Sequence, residues 1–517
     1  MIIEVKTMKK TWIALMLACI MLLPACSLPI VLNSNAPSES STIPSCEHVD
    51  QDDNGRCEIC AESVIVNIDF YVINDLHGKL DDGDNHPGVD ELTTYIKRKQ
   101  QSDDHVVLLS SGDMWQGSAE SNMTKGLIIT DWMNQMGFVS MTLGNHEFDW
   151  GESFVQENAE LAEFPILAIN LYDRQTNQRV EYCDASVLLE YDGVQIGIIG
   201  AIGDCYSSIS PDHTKDIYFK TGNDLTQLVK DESDRLRQQG ADFIIYSIHD
   251  GYGQSNNGSL SSPNSGQLKS YYDVSLSNGY VDLVFEGHTH QRYLMVDDYG
   301  VYHLQGGGDN DGITHAEVGI NSVTGSFVVT QREFNYSSVY ASLPGDPVVD
   351  QLLSKYEEMI APSNRVVGYN AAYRSGDYLR QIVAKLYLQA GIARWGEEYD
   401  IVLGGGFLSV RSPYNLQKGD VTYSTLQAIM PFDNELVLCS IKGSDLLSKF
   451  INTSNSNYFI ARSDNRTIDP NGTYFIIVDS YTSTYAPNRL TEIQRYGEAI
   501  YARDLLAEYI SQGHMES

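Results

Sequence analysis

Six short apolar runs constrain the fold of this chain more than any other feature of its sequence. Each run has almost no polar alternation and is rich in β-branched or aromatic side chains, which is typical of strands buried on both faces of a sheet. The runs cover residues 64–73, 105–109, 138–143, 194–200, 242–248 and 281–285. The strands that they predict therefore belong inside a layered structure, not on a solvated surface.

Helix-like stretches, such as residues 88–100 and 222–240, separate several of these runs. Strands that alternate with helices predict an α/β domain. A chain of 517 residues is too long for one hydrophobic core, and a proline-bounded amphipathic stretch over residues 346–362 predicts a helix that leads to a second domain. We predict a leader over residues 1–25, a flexible tether over 26–45, a small Cys/His segment over 46–62, a first domain over 63–345, a linking helix over 346–364 and a second domain over 365–517.

The N-terminus has the pattern of an export signal. Two lysines follow Met8 and precede an apolar stretch of the length of a signal core, shorter than a membrane-spanning helix. The stretch ends in Leu23-Pro24-Ala25-Cys26, which resembles a bacterial lipobox and predicts a lipid on Cys26. An uncleaved anchor and plain secretion are the alternatives. All three place the folded chain outside the cytoplasm, and lipidation would anchor it to the membrane at the cell surface or in the periplasm.

The charge of the chain limits the class of partner that it binds. The formal net charge is -35 and the isoelectric point is about 4.5. Binding to a nucleic-acid polymer requires a surplus of Lys and Arg, so this acidity argues against it. The sequence points to no obligate protein partner, and an anionic substrate remains compatible with the charge if bound cations reverse the local field.

A cysteine-rich pattern, CEHVDQDDNGRCEIC, follows the predicted tether. Cys46, His48, Cys57 and Cys60 have the types and the number for a tetrahedral structural zinc site. The same stretch begins like a calcium loop, but its twelfth position is Ala61, where calcium needs a bidentate glutamate. A disulfide within the three cysteines is the other alternative.

Polar side chains follow five of the apolar runs, at the point where each run ends. Ligands of open α/β sheets bind beyond the carboxyl ends of the strands, so we expect these side chains to meet at one edge. Mixed carboxylate, amide and imidazole donors suit Zn, Mn or Fe better than Mg or Ca, and they outnumber the needs of one cation. A pair of divalent cations fits the set, and such a pair clamps a phosphoryl displacement. The predicted ligands are Asp75, His77, Asp113, Asn145, His249, His288 and His290.

The order of these motifs resembles that of the calcineurin-like metallophosphatases. GNHEFD and the second domain are similar, more narrowly, to the 5′-nucleotidase family, over about residues 64–517. The resemblance implies a four-layer α/β/β/α first domain and an α+β C-terminal domain that binds the substrate. It implies that Asp113 bridges two cations. It also implies that one site is completed by Asp75, His77 and His290, and the other by Asn145, His249 and His288.

The same resemblance assigns the residues after Asn145. His146 is expected to face the substrate phosphate, with Asp149 one helical turn behind it. Such a pair stabilises the transition state and protonates the leaving alkoxide. The alternative is a structural cap. Glu147 receives no role and is expected to be a solvated or supporting carboxylate.

In the second domain the resemblance points to nucleotide recognition. A glycine loop and an arginine are expected on the ribose side, and two aromatic rings around the base, because stacking tolerates any base. Core packing is the alternative for the aromatic residues, and Tyr481 and Tyr485 compete for the position opposite Phe432. The predicted substrate residues are Gly405, Gly406, Arg411, Phe432, Asn434, Tyr481 and Tyr485.

The sequence therefore predicts a metal-dependent phosphoric ester hydrolase that acts on nucleoside 5′-monophosphates. The glycines and Lys385 depart from the family pattern, which leaves the exact substrate open. The alternatives are a 2′,3′-cyclic-nucleotide phosphodiesterase with 3′-nucleotidase activity, a UDP-sugar hydrolase with the same centre, and an inactive surface binding protein.

Overall fold

The computed structural model describes residues 46–80, 88–252, 272–407, 410, 414–454, 458–485, 489–496 and 501–515. The chain divides into two compact units, Met1–Glu47 and His48–Ser517, and the fold described here is that of the second. The predicted leader, the tether and Cys26 lie outside the described residues. Among the described residues, no helix combines the length and the apolar character that crossing a bilayer requires.

The strands of the described residues fall where the apolar runs predict them, with small differences at their ends. In chain order they are β1 (Ile65–Ile73), β2 (Val106–Ser110), β3 (Ser140–Thr142), β4 (Ile166–Leu167), β5 (Leu171–Asp173), β6 (Ser186–Tyr191), β7 (Val194–Ile202), β8 (Ile217–Phe219), β9 (Phe243–His249), β10 (Leu283–Glu286), β11 (Arg292–Val296), β12 (Tyr302–Gly306), β13 (Gly312–Asn321), β14 (Phe327–Tyr336), β15 (Val366–Asn370), β16 (Ile401–Phe407), β17 (Gly419–Thr422), β18 (Leu436–Lys442), β19 (Tyr458–Arg462), β20 (Thr473–Asp479) and β21 (Leu490–Arg495).

The helices cover the outer faces of the sheets and join the two halves of the chain. In chain order they are α1 (Val89–Ser102), α2 (Ala119–Thr124), α3 (Leu127–Met136), α4 (Glu152–Leu161), α5 (Asn223–Gln238), α6 (Pro347–Lys355), α7 (Glu357–Ile360), α8 (Gly376–Trp395), α9 (Tyr423–Ile429), α10 (Gly443–Asp445), α11 (Ser480–Tyr485) and α12 (Ala502–Ser511). The linking helix predicted over 346–364 is interrupted at Tyr356, between α6 and α7.

Within the described residues the first half contains two six-stranded sheets, in the orders β14-β13-β1-β2-β3-β4 and β11-β12-β10-β9-β7-β6. Strands β1 to β4 are parallel, as are β7, β9, β10 and β12. The inner faces pack on each other, and the rings of Phe70 in β1 and Phe243 in β9 stack with centroids 6.3 Å apart. Helices α1 and α3 cover one outer face, and α5 covers the other. The predicted α/β/β/α layers are therefore confirmed.

The second half is an α+β arrangement, as predicted. A sheet of order β19-β16-β20-β18-β21 carries the long helix α8 on one face. The prediction of a glycine loop is wrong, because Gly405 and Gly406 lie inside β16, paired with β19. A Cβ on Gly404 would lie 2.5 Å from the backbone nitrogen of Leu388 in α8, so the glycine allows the helix to pack closely on the sheet.

Candidate functional site

The side chains predicted as ligands lie together at one edge of the paired sheets. Asp75 and His77 follow β1, Asp113 follows β2, and Asn145 follows β3 in the first sheet. In the second sheet His249 ends β9, and His288 and His290 follow β10. Within each sheet these strands are parallel neighbours, so their carboxyl ends meet at one edge. The face-to-face packing of the two sheets then brings both edges into one cluster.

Donor atoms of the cluster lie within a few ångströms of each other. Nε2 of His77 is 3.0 Å from Nε2 of His290, which is 3.3 Å from Oδ1 of Asp75. Nδ1 of His288 is 2.9 Å from Oδ1 of Asn145. Three overlapping groups each have their donor atoms within 4.8 Å of one another: Asp75, His77 and His290 form the first, Asp75, Asp113 and His249 the second, and Cys205, His249 and His288 the third. The Cys205 thiol donates to the His249 carbonyl oxygen across 2.8 Å.

The pair of His249 and Asp113 tests whether a cation fits here. Nδ1–H of His249 donates to the Ser111 carbonyl oxygen across 2.7 Å, which directs Nε2 to Asp113. Nε2 lies 3.0 Å from Oδ2 of Asp113, yet among the described residues it has no hydrogen-bond partner of acceptable geometry. The two atoms therefore lie side by side without a hydrogen bond between them, and a donor atom of Asp75 lies within 4.8 Å of both, which suits a shared cation. His77 is oriented in the same way, by Nδ1–H donating to the Gln116 carbonyl oxygen across 2.8 Å.

The backbone of the cluster is in an unusual conformation. Five of the seven predicted ligands have φ between 50° and 69°, in the left-handed region that residues other than glycine rarely adopt. Each such residue costs about 1–3 kcal/mol and persists where the surroundings over-determine it, as at functional sites. The five residues are Asp75, His77, Asp113, His288 and His290.

Two glycines allow the backbone to approach these side chains. Gly112 has φ +95°, and a Cβ there would lie 2.6 Å from Nδ1 of His249. A Cβ on Gly144 would lie 2.2 Å from Oδ1 of Asp113. Any side chain at either position would displace a predicted ligand.

Glu147 holds the loops after β2 and β3 together, a role that the sequence did not reveal. Its fully buried carboxylate accepts backbone N–H groups from Asp113 at 2.9 Å, Met114 at 2.8 Å, Trp115 at 3.2 Å and Gly144 at 2.6 Å. Burial and the charge of Asp113 raise its pKa to about 7, while these N–H groups oppose the rise. The carboxylate ties the loop of one predicted ligand to the loop of another.

Charge and burial set the protonation of the cluster in the absence of cations. Burial opposes ionisation of Asp113, but the neighbouring imidazoles, His249 foremost, hold its pKa well below the ordinary value. Burial lowers the pKa of His288 to about 4, which keeps its ring neutral and able to bind a cation. Burial would also lower the pKa of His249, but the charge of Asp113 outweighs it and raises the pKa to about 10.

His146 and Asp149 form the predicted pair. His146 begins a short 3₁₀ turn, and its Nδ1–H donates to Oδ2 of Asp149 across 2.8 Å. The backbone N–H of His146 donates to Oδ1 of Asp113 across 2.8 Å, which fixes the pair beside the cluster. The ring of Phe432, from the second half of the chain, stacks on the ring of His146 with centroids 5.7 Å apart and planes 20° apart.

The remaining predicted substrate residues lie at several places. Asn434 precedes β18, where its Oδ1 accepts from the Ser480 hydroxyl across 3.4 Å. Tyr481 lies half-buried in α11. Gly405 and Gly406 are buried within a sheet. Arg411 and the side chain of Tyr485 lie outside the described residues.

A buried polar network supports the loop after β10. His303 is fully buried, with Nδ1 2.8 Å from Glu286 and Nε2 3.5 Å from Asp297. Glu286 also accepts from the Tyr293 hydroxyl, which in turn accepts from Gln305 across 3.0 Å. Sequence reasoning missed this network, because its members are spread over three strands.

Comparisons with known proteins agree with this geometry. Residues 68–292 match the family of calcineurin-like phosphoesterases. Protein UshA of Yersinia enterocolitica is 27% identical over 386 residues, which cover 66% of this chain and 67% of that protein. A 5′-nucleotidase of Diplobatis ommata is 25% identical over 414 residues, covering 73% and 69% of the two chains. The crystal structure of a 5′-nucleotidase precursor from Thermus thermophilus has a TM-score of 0.66 and 17% identity, covering 86% of this chain and 96% of that one.

Proposed function

The chain belongs to the 5′-nucleotidase family of calcineurin-like phosphoesterases and is a hydrolase, and from that premise we propose that it releases phosphate from nucleoside 5′-monophosphates. The observation that carries the proposal is the convergence of the predicted ligands at one sheet edge, most of them in strained backbone. We propose further that the enzyme acts outside the cytoplasm, held at the membrane by a lipid on Cys26, as its N-terminal pattern predicts.

The donor set supports a site for two divalent cations, Zn or Mn. The family resemblance assigns Asp113 to both cations, and Oδ2 of Asp113 lies 3.0 Å from Nε2 of His249, a ligand predicted for one of them. Two cations bound there supply the Lewis acidity that activates water and polarises the phosphoryl oxygens. The two groups of ligands would be Asp75, His77 and His290 for one cation, and Asn145, His249 and His288 for the other.

His146 would act on the phosphoryl group itself. Nδ1–H of His146 donates to Oδ2 of Asp149, which fixes the ring and leaves Nε2 for the substrate. From there Nε2–H donates to the oxygen on which charge develops and delivers its proton to the leaving alkoxide. Removing such a group typically costs about 10²–10⁴ in rate.

The second half of the chain would hold the nucleoside. Phe432 would stack on the base, because its ring lies against the ring of His146, and stacking on a base stabilises binding by about 1–3 kcal/mol without selecting the base. Tyr481 or Tyr485 would form the other side of the stack, and Arg411 and Asn434 would contact the sugar. Binding of a base to Phe432 would replace its contact with His146, so the two halves would move relative to each other during turnover.

The test is phosphate release from AMP. We expect activity that a chelator abolishes and that Mn or Zn restores, and a fall of about 10²–10⁴ in kcat for His146→Ala. His514→Ala is the matched control, since His514 lies beyond α12, at the far end of the second half of the chain. Product analysis separates the alternatives. Turnover restricted to 2′,3′-cyclic or sugar-linked nucleotides would show that these, and not nucleoside 5′-monophosphates, are the substrate. If the protein with bound cations hydrolysed none of these nucleotides, the inactive surface binding protein would be the remaining alternative.

A further inference from the structure

A second cluster of potential metal ligands differs from the phosphoesterase site in composition and in place. It belongs to residues 48–62, which precede β1 and which we name the N-terminal knuckle. The donor atoms of His48, Cys57 and Cys60 lie within 4.8 Å of one another, and Nδ1 of His48 is 3.5 Å from Sγ of Cys60. Within the described part of the chain, neither cysteine of the knuckle takes part in a disulfide.

The backbone of the knuckle presents the two sulfur atoms on one tight turn. Ala61 N–H donates to the Cys57 carbonyl oxygen across 2.8 Å, and Cys57 N–H donates to the Glu62 carbonyl oxygen across 2.9 Å. These hydrogen bonds hold Cys57 and Cys60 on one turn, and the deprotonated thiol is the form of cysteine that binds metals.

Two acidic residues of the knuckle attach it to the rest of the fold. The carboxylate of Asp50 accepts N–H groups from Asn54 at 3.0 Å, Gly55 at 2.8 Å and the Asn321 side chain at 2.7 Å. Asp53 accepts from the side chains of Asn321, at 2.9 Å, and Thr324, at 2.6 Å. These carboxylates fasten the knuckle to the turn between β13 and β14.

We propose that His48, Cys57 and Cys60 bind a structural Zn²⁺ ion that holds residues 48–62 against the β13–β14 hairpin. Thiolate and imidazole ligands select zinc over calcium or magnesium, which prefer oxygen. Tetrahedral zinc takes a fourth ligand, and the sequence offers Cys46, two positions before His48. This ion is separate from the catalytic pair, whose predicted ligands provide only nitrogen and oxygen.

The difference in ligand atoms provides the test. The full chain, stripped of metals and reloaded with Co²⁺, should show the near-ultraviolet absorption of cobalt–thiolate charge transfer, which nitrogen and oxygen ligands cannot produce. Cys60→Ser should abolish the band and lower the zinc content by about one atom per chain, with AMP hydrolysis retained. Cys60 is exposed, so its replacement is compatible with folding. Asp113→Asn is the matched control: it should lose hydrolysis and keep the band.

Three results would overturn the proposal. The first is the absence of the band in the wild-type chain, and the second is a band of full strength in Cys60→Ser. The third is a disulfide between Cys57 and Cys60 in protein isolated without reductant. Failure of AMP hydrolysis alone would contradict the proposed enzymatic function and leave the thiolate band unchanged, so the two proposals fail separately.

Discussion

Replacement of Glu147 by glutamine tests whether this carboxylate assembles the site. Each of its oxygens accepts two backbone N–H groups: Oε1 from Met114 and Trp115, and Oε2 from Asp113 and Gly144. In Glu147→Gln one oxygen becomes an NH₂ group, so two buried N–H donors face a donor. An unsatisfied buried donor costs about 1–3 kcal/mol, so we expect the free energy of unfolding to fall by about 2–6 kcal/mol.

The same change should weaken cation binding, because the loops of Asp113 and Asn145 lose their connection. Replacing groups that orient metal ligands typically costs about 10–100-fold in affinity. Urea unfolding gives the first quantity, and calorimetric titration of the metal-free protein with Mn²⁺ gives the second. Both measurements should be made at about pH 8, where the Glu147 carboxylate, with its pKa of about 7, is ionised.

Glu157→Gln is the matched control for this experiment. Glu157 lies exposed on α4, ten residues further along the chain, so the same change of charge there should alter stability by no more than about 0.5 kcal/mol. If Glu147→Gln matched this control in both stability and cation affinity, the four hydrogen bonds would not be what holds the loops together. The account of the site's assembly would then be refuted.

Two further changes test other parts of the fold. Burial alone would lower the pKa of His303, but the charge of Glu286 has the larger effect, and the pKa is raised to about 9. The stability that the charged ring contributes is therefore present below about pH 6.5 and is lost as the pH rises through about 9. In urea unfolding, the wild type should lose about 3 kcal/mol of unfolding free energy between about pH 6.5 and pH 9, and His303→Gln should not show this loss. The same pH profile in both proteins would contradict this prediction. Asp433→Ala should lower the free energy of unfolding by about 3–5 kcal/mol, because it leaves the buried Arg503 without its carboxylate partner. Lys125→Ala, at the more exposed end of the same ion-pair chain, should lower it by at most about 1 kcal/mol. Equal effects of the two variants in urea unfolding would refute this ranking.

The layered fold and the ligand cluster could be predicted because both depend on local sequence. A run such as residues 242–248 is buried on both faces, so its composition alone identifies β9 within one residue. His249 ends that strand, and the face-to-face packing of the two sheets places it beside Asp113 at the end of β2. Once the strands are known, their ends are known, and the chemistry of a cation site fixes which residue types can stand there.

Features that depend on the backbone of distant segments were missed or misread. Glu147 differs from an ordinary surface glutamate only in the four N–H groups around it, three of which come from residues 113–115. The run of glycines at 404–406 looked like a loop, since glycine usually marks one. These glycines lie in a strand, and their lack of side chains lets α8 and β19 pack closely against it. A Cβ on Gly405 would lie 2.3 Å from the Phe459 carbonyl oxygen.

The contrast between the two halves of the chain has a physical cause. Binding a cation requires particular atoms at particular distances, so the ligand residues are restricted in type and stand out in the sequence. Stacking requires only an aromatic face, which any of many Phe and Tyr residues provides. Phe432 reaches His146 through the packing of segments far apart in the sequence, and nothing in the residues around it signals that contact. The chemistry of this family is therefore readable from sequence before its substrate is, and substrate identity has to come from experiments on the second half of the chain.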